Sequence, residues 1–379
     1  MYPQKKAFLK GSLIIKHISI KNPFTIAISK IPEGLSKSYF PVLDGFRGIA
    51  ILIVLVGHSS IGTPFGKYEA GNIGVAIFYV LSGFLITTLL LKEKIKTGRV
   101  SFKHFYMRRA LRILPVAFLF LIVLAVLNAV FNLHLTLISF LASAFYFRNM
   151  PLNYGSGSWY NGHFYTLAVE EQFYFIFPVL IIFFTKQYVK IVCAIILLIP
   201  LFNYLVYHDV GIFYNNIVLH KILLLIIYAW GPDTVSILTG TVLAILVFNG
   251  TLSVANKKNY FLSAVLFIIG IIFRNSHLIG NDYVASLVFS ILIAWVIYLC
   301  LGSNDLLSTV LQNKILVWVG IISYSLYVWQ QLFTHYQPWG TLFIGGSSLW
   351  VNIPALFAVA CLSYYLYERK FLKLKEKFK

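Results

Sequence analysis

The chain has 379 residues, 59% of them hydrophobic and only 11% charged, with a mean hydropathy of +0.81. A soluble domain carries about 25% charged residues and roughly 20 apolar residues cross a bilayer once, so composition excludes a soluble enzyme, a disordered protein and a single-pass receptor. A formal charge of +19 on a soluble protein would suggest nucleic acid; in a membrane chain its placement among the loops decides its meaning.

In chain order, residues 1–40 carry seven lysines, which break each apolar stretch before it reaches the length of a signal-peptide core. They read as a basic cytoplasmic tail, in part amphipathic and lying on the membrane surface. Ten membrane helices are then predicted at about 41–60, 72–91, 112–132, 162–184, 188–207, 234–249, 259–274, 283–301, 314–335 and 349–367. The predicted fold is an all-α polytopic membrane protein: one domain, 41–367, followed by a short basic tail, 368–379. Segments 135–147 and 219–230 are apolar but short, and read as re-entrant or interfacial.

With the N-terminus inside, 26 of the 31 Lys and Arg fall on the cytoplasmic side and four outside, the last being Arg47 within the first span. That asymmetry fits an even number of spans with both termini cytoplasmic. The basicity is then topological, and no nucleic-acid partner is expected. Cys193, Cys300 and Cys361 lie inside apolar runs and read as small core residues, with neither a disulfide nor a metal site expected.

Ionisable residues inside spans are functional candidates. Arg47 and His58 in the first span are eleven residues apart, which is three turns plus about 20°, so they share a face about 16 Å apart along the axis. Asp44, three residues before Arg47, is positioned to pair with it. The fourth span carries Glu170 and Glu171, about 100° apart, so at most one faces a given site. Glu170 is expected at the depth of His58, where a carboxylate would orient the imidazole as a general base. Arg109 and Arg112, at i and i+3, project together at the mouth of the third span, where guanidinium forks suit phosphate oxygens. Tyr324 and Tyr327 share a helical face with Gln331; such side chains suit either a sugar-binding lining or an interfacial belt.

Five ordered blocks resemble the acyltransferase family 3 of membrane O-acyltransferases acting on surface polysaccharides. They are Leu43-Asp-Gly-Phe-Arg-Gly-Ile-Ala-Ile with His58, Gly74-Val-Ala-Ile-Phe-Tyr-Val-Leu-Ser-Gly-Phe-Leu-Ile, Phe105-Tyr-Met-Arg-Arg-Ala-Leu-Arg-Ile-Leu-Pro, Thr166-Leu-Ala-Val-Glu-Glu-Gln-Phe-Tyr and Ile322-Ser-Tyr-Ser-Leu-Tyr-Val-Trp. The resemblance implies ten membrane helices in a bacterial cytoplasmic membrane, with acetyl-CoA or another acyl-CoA as the cytoplasmic donor. The implied acceptor, reached from the other side, is a surface carbohydrate or lipid-linked glycan. Membrane lipid and glycan-synthesis proteins are the other implied partners. The family's Arg-x10-His falls on Arg47 and His58, its Arg-x-x-Arg on Arg109 and Arg112, and its acid on Glu170. The expected roles are His58 as general base oriented by Glu170, with Arg47, Arg109 and Arg112 on the CoA phosphates and Tyr324 and Tyr327 toward the acceptor.

The sequence departs from the family pattern at Tyr165-Thr166, where Trp-Ser is usual, and at Gln330, where His is frequent. Gln330 is not ionisable and is given no catalytic role. Many relatives carry an esterase-like domain after the last helix; with the sequence ending at Lys379, a stand-alone form without that domain is expected. The alternative reading is a polysaccharide or sugar-lipid flippase, which would bind a glycan but not turn over acyl-CoA.

Overall fold

The computed structural model describes residues 30–37, 39–61, 70–184, 187–208, 210–211, 215–229, 231–254, 261–276, 282–302 and 305–378; the N-terminal tail up to residue 29 lies outside them. Every regular element among the described residues is helical. The long helices are α1 (Pro41–Ser59), α2 (Ala70–Thr97), α3 (Phe102–Phe131), α5 (Phe164–Phe183) and α6 (Tyr188–Tyr207), with the short α4 (Leu137–Ala144) between α3 and α5. Next come α7 (Ile217–Ala229), α8 (Pro232–Phe248), α9 (Leu262–Asn275) and α10 (Asp282–Cys300). The last part runs through α11 (Leu306–Leu311), α12 (Lys314–Ile321), α13 (Ser323–Trp329), α14 (Leu349–Leu362) and α15 (Arg369–Lys375), with a π-helical stretch over Ser363–Glu368.

Seven of the described helices are long and apolar enough to cross a bilayer, and nine if each of two bent pairs makes one span. All ten predicted segments contain an apolar helix, but not all are straight spans. Segment 219–230 belongs to α7, which meets α8 at a 57° bend, and the 314–335 span is α12 and α13 meeting at 56°. The helix in the 259–274 segment has only 14 residues, and residues 259–260 lie outside the described ones. Segment 135–147 contains the eight-residue α4, too short to span.

The core forms where small residues let helix backbones meet, as is usual in membranes. A Cβ on Gly83 of α2 would collide with the carbonyl of Ile237 on α8, and one on Gly240 of α8 would collide with that of Val80. This reciprocal crossing presses α2 onto α8. Likewise a Cβ on Gly320 would strike the Asp44 carbonyl, and one on Gly48 the Leu316 carbonyl, so α1 lies against α12. Phe46, Ile77, Val80, Phe84, Phe177 and Ile237 fill the space around these contacts and are fully buried. Large apolar side chains such as Ile122, Val126 and Val130 of α3 point outward, as expected of a lipid-facing flank. Cys193, Cys300 and Cys361 are all free thiols.

Candidate active site

A cavity of about 520 Å³ opens between α1, α2, α3, α5 and α13. Its mouth carries Arg47, Arg108, Arg109, Arg112 and Lys375. Ser82, midway along the lining stretch of α2, together with Glu170 and Tyr174 beside Arg109, marks a level termed the waist. Val75 and Thr166, with Tyr327 bonded to Thr166, line the cavity nearer the N-terminal ends of α2 and α5. From Leu89 to Val75 it follows α2 for 14 residues, about 21 Å at helical rise.

The mouth cations are not equivalent. Arg47 Nη1 pairs with Asp44 Oδ1 at 2.8 Å, one helical turn away as the spacing predicts. Arg108 bonds Glu93 Oε2 at 2.9 Å and the Phe378 carbonyl at 2.6 Å. Arg109 is the most committed: it lies 2.9 Å from Glu171 Oε1, 3.7 Å from Glu170 Oε1, and 3.6 Å above the Tyr174 ring centroid. A single arginine from α3 thus reaches both carboxylates of α5. Only Glu170 lines the cavity, as the 100° between the two side chains leads one to expect; the long guanidinium arm reaches Glu171 from the side. Among the described residues no carboxylate pairs with Arg112 within 4.0 Å, and the charges of Glu368 and Glu170 act on it from farther away.

Glu170 accepts a hydrogen bond from Ser82 Oγ at 2.5 Å and another from the Tyr174 hydroxyl. Ser82 is presented by the same turn of α2 whose Gly83 meets α8. Tyr324 donates to the Ile113 carbonyl at 2.7 Å, and the Tyr327 and Thr166 hydroxyls bond each other. Both tyrosines line the basic cavity. The bend after Ile321 turns their helix inward.

His58 stands beyond the inner end of this cavity. Gly71, one turn of α2 from cavity-lining Val75, is so near that a Cβ there would lie 3.4 Å from His58 Nε2. The partner of His58 is not Glu170. Its Nδ1 lies 2.6 Å from Gln330 Oε1, an acceptor, so Nδ1 carries the proton and Nε2 keeps its lone pair. This corrects the expected Glu170–His58 contact and gives Gln330, which was assigned no catalytic role, a contact with the imidazole. Glu170 is drawn toward Arg109, and a neutral amide fixes the imidazole tautomer instead.

A second pair lies alongside. Gln331 Oε1 accepts from the backbone N–H of His163 at 3.0 Å and lies 2.6 Å from its Nδ1, capping a free donor at the start of α5. The carbonyl of Gln331 accepts from Trp159 Nε1 at 3.0 Å, and the Trp159 and His58 rings meet edge to face at 5.5 Å. Adjacent glutamines after α13 thus engage two histidines from different helices. The apolar setting of a Gln-Gln step was the only sequence signal for this, and it named no partner.

These features define a polytopic helical membrane protein with a basic-mouthed cavity leading toward a histidine, and the chain belongs to the acyltransferase family 3, whose model, described as an acyltransferase domain, matches residues 40–368. Among curated relatives, the peptidoglycan O-acetyltransferase OatA of Listeria monocytogenes is 28% identical over 370 residues, covering 88% of this chain and 56% of its own length. The Staphylococcus aureus protein named "Putative O-acetyltransferase SACOL0978" is 30% identical over 334 residues, covering 77% of this chain and 50% of its own. The chain spans about half the length of these relatives. No solved structure matches it.

Proposed function

We propose that this chain is an O-acyltransferase of the bacterial cytoplasmic membrane, moving an acyl group, acetyl foremost, from acyl-CoA to a hydroxyl of a cell-envelope carbohydrate. The observation that carries the reading is the cavity: five cations in its lining, a course of about 21 Å along α2, and His58 against Gly71, one helical turn past cavity-lining Val75. CoA has the matching form, with phosphates at one end, a long thin arm, and the thioester at its tip. The family match and the names of the relatives support the transferase over the flippase.

In this reading Arg112 and Arg47 hold phosphate oxygens, assisted by Arg108 and Lys375. Arg109 holds Glu170 and Glu171 in place, and the Glu170–Ser82 contact shapes the waist through which the arm passes. At the inner end His58 Nε2 takes the proton of the acceptor hydroxyl as its oxygen bonds to the acyl carbon. The C–S bond breaks, and the proton returns to the departing thiolate. A positioned base of this kind contributes about 10²–10⁴ in rate.

The test is incubation of the purified, detergent-solubilised protein with radiolabelled acetyl-CoA and a soluble saccharide. Label in the saccharide and release of free CoA are expected. A protein that binds saccharide and leaves acetyl-CoA untouched would be a transporter.

A further inference from the structure

Tyr324 and Tyr327 line the basic cavity. Another surface stands beside His58. Trp159, in the 3-10 turn Ser156–Asn161, contacts His58 on one side and, on the other, His335 at 5.3 Å and Tyr336 at 6.1 Å. The His335 and Tyr336 rings are themselves 4.0 Å apart, and Tyr336 is 57% exposed. An aromatic array therefore runs from an open surface to the imidazole, carried by the segments that precede α5 and follow α13.

A second observation is independent of the rings. Gln330 is fully buried, and its Nε2 has no hydrogen-bond partner among the described residues, although its Oε1 is held by His58. A buried amide donor left unmade costs about 1–3 kcal/mol, and in a binding site such a donor is matched by a ligand oxygen. None of these side chains is a lysine or arginine, so the array is not built for phosphate, in contrast to the cavity mouth.

The structure assigns this array as the acceptor subsite. A neutral sugar ring packs its C–H face on the exposed ring of Tyr336, with Trp159 and His335, which stand at steep angles to that ring, against its edge, and one of its oxygens accepts from Gln330 Nε2. Its hydroxyl is thereby brought to His58. Aromatic faces carry the negative potential that attracts polarised C–H edges, and the imidazole and phenol add polar tips.

This rests on the proposed transferase function but is read out separately. Saccharide affinity of the purified protein is measured by tryptophan fluorescence with two probes. Chitotetraose stands for a polymeric acceptor, and octyl N-acetyl-β-glucosaminide for a lipid-linked one. Binding of at least one is expected, with affinity reduced about tenfold in Tyr336→Ala and in His335→Ala, and with the fluorescence response lost in Trp159→Phe. Tyr336 is a surface residue, so its variant keeps the test open if Trp159→Phe fails to fold. If the wild type binds neither saccharide, or if Tyr336→Ala and His335→Ala both bind as the wild type does, the assignment is overturned. Acetyl-CoA binding and turnover by the wild type, followed in parallel, decide the transferase reading itself.

Discussion

Two short hydrogen-bonded pairs, His58 with Gln330 and Arg109 with Glu171, separate residues expected to act in chemistry from those expected to hold the site together. His58 carries a lone pair on Nε2, so His58→Ala should lower acyl transfer by at least about 100-fold while the protein still reaches the membrane. Glycan acetylation in cells, with membrane abundance from immunoblots, checks this. Gln330 is a positioning residue for His58. Gln330→Met keeps the volume but leaves the Nδ1 proton unpaired, at a cost of about 1–3 kcal/mol. That corresponds to a fall in kcat of about tenfold or more, with the KM for acetyl-CoA unmoved; a purely structural residue would lower active enzyme without that split.

The two cavity arginines should part in the same way. Arg112 has no carboxylate partner among the described residues, and a charge-assisted phosphate contact contributes about 1.5–3 kcal/mol. Arg112→Ala should therefore raise the dissociation constant for acetyl-CoA at least about tenfold, as read by calorimetry. Arg109→Ala leaves the adjacent carboxylates of Glu170 and Glu171 without their shared cation. Breaking such a buried pair costs about 3–5 kcal/mol, so this variant should show a lowered Tm and poor recovery, whatever its effect on binding.

At the scale of elements, the α2–α8 crossing fixes where Ser82 and the waist lie. Gly83→Val places branched carbon against the Ile237 carbonyl, and the helices must separate. Overpacking costs about 1–3 kcal/mol or more. The expected result is loss of monodisperse protein on gel filtration, whereas Ser82→Ala, one residue earlier, should remain monodisperse. The sequence shows the Ser-Gly step but not which helix it meets. The same limit applies to α13. Its register puts Tyr324, Tyr327 and Gln331 on one face, but the 56° bend before it decides that this face turns into the basic cavity.

At the scale of the molecule, the charge pattern and the two ends of the site give a topological prediction. In a background with Cys193, Cys300 and Cys361 replaced, a single cysteine at Lys103 should react with a membrane-impermeant maleimide only after the inner face is exposed. One at Tyr336 should react in intact cells. The opposite result would reverse the donor and acceptor ends.

Composition, hydropathy and the placement of lysine and arginine sufficed for a polytopic helical membrane protein, because the bilayer imposes length and polarity on each segment separately. The Asp44–Arg47 pair was equally legible, being one turn of one helix. The contacts of His58 with Gln330, Glu170 with Ser82 and Arg109 with Glu171 were not, since each joins segments distant in sequence and is set by backbone approaches such as Gly83 to Ile237 and by the bend after Ile321. Hydrogen bonds across helices depend on rotation and depth, which linear spacing does not encode. Only the tertiary structure could exchange Glu170 for Gln330 beside the imidazole and turn the tyrosines into the cavity.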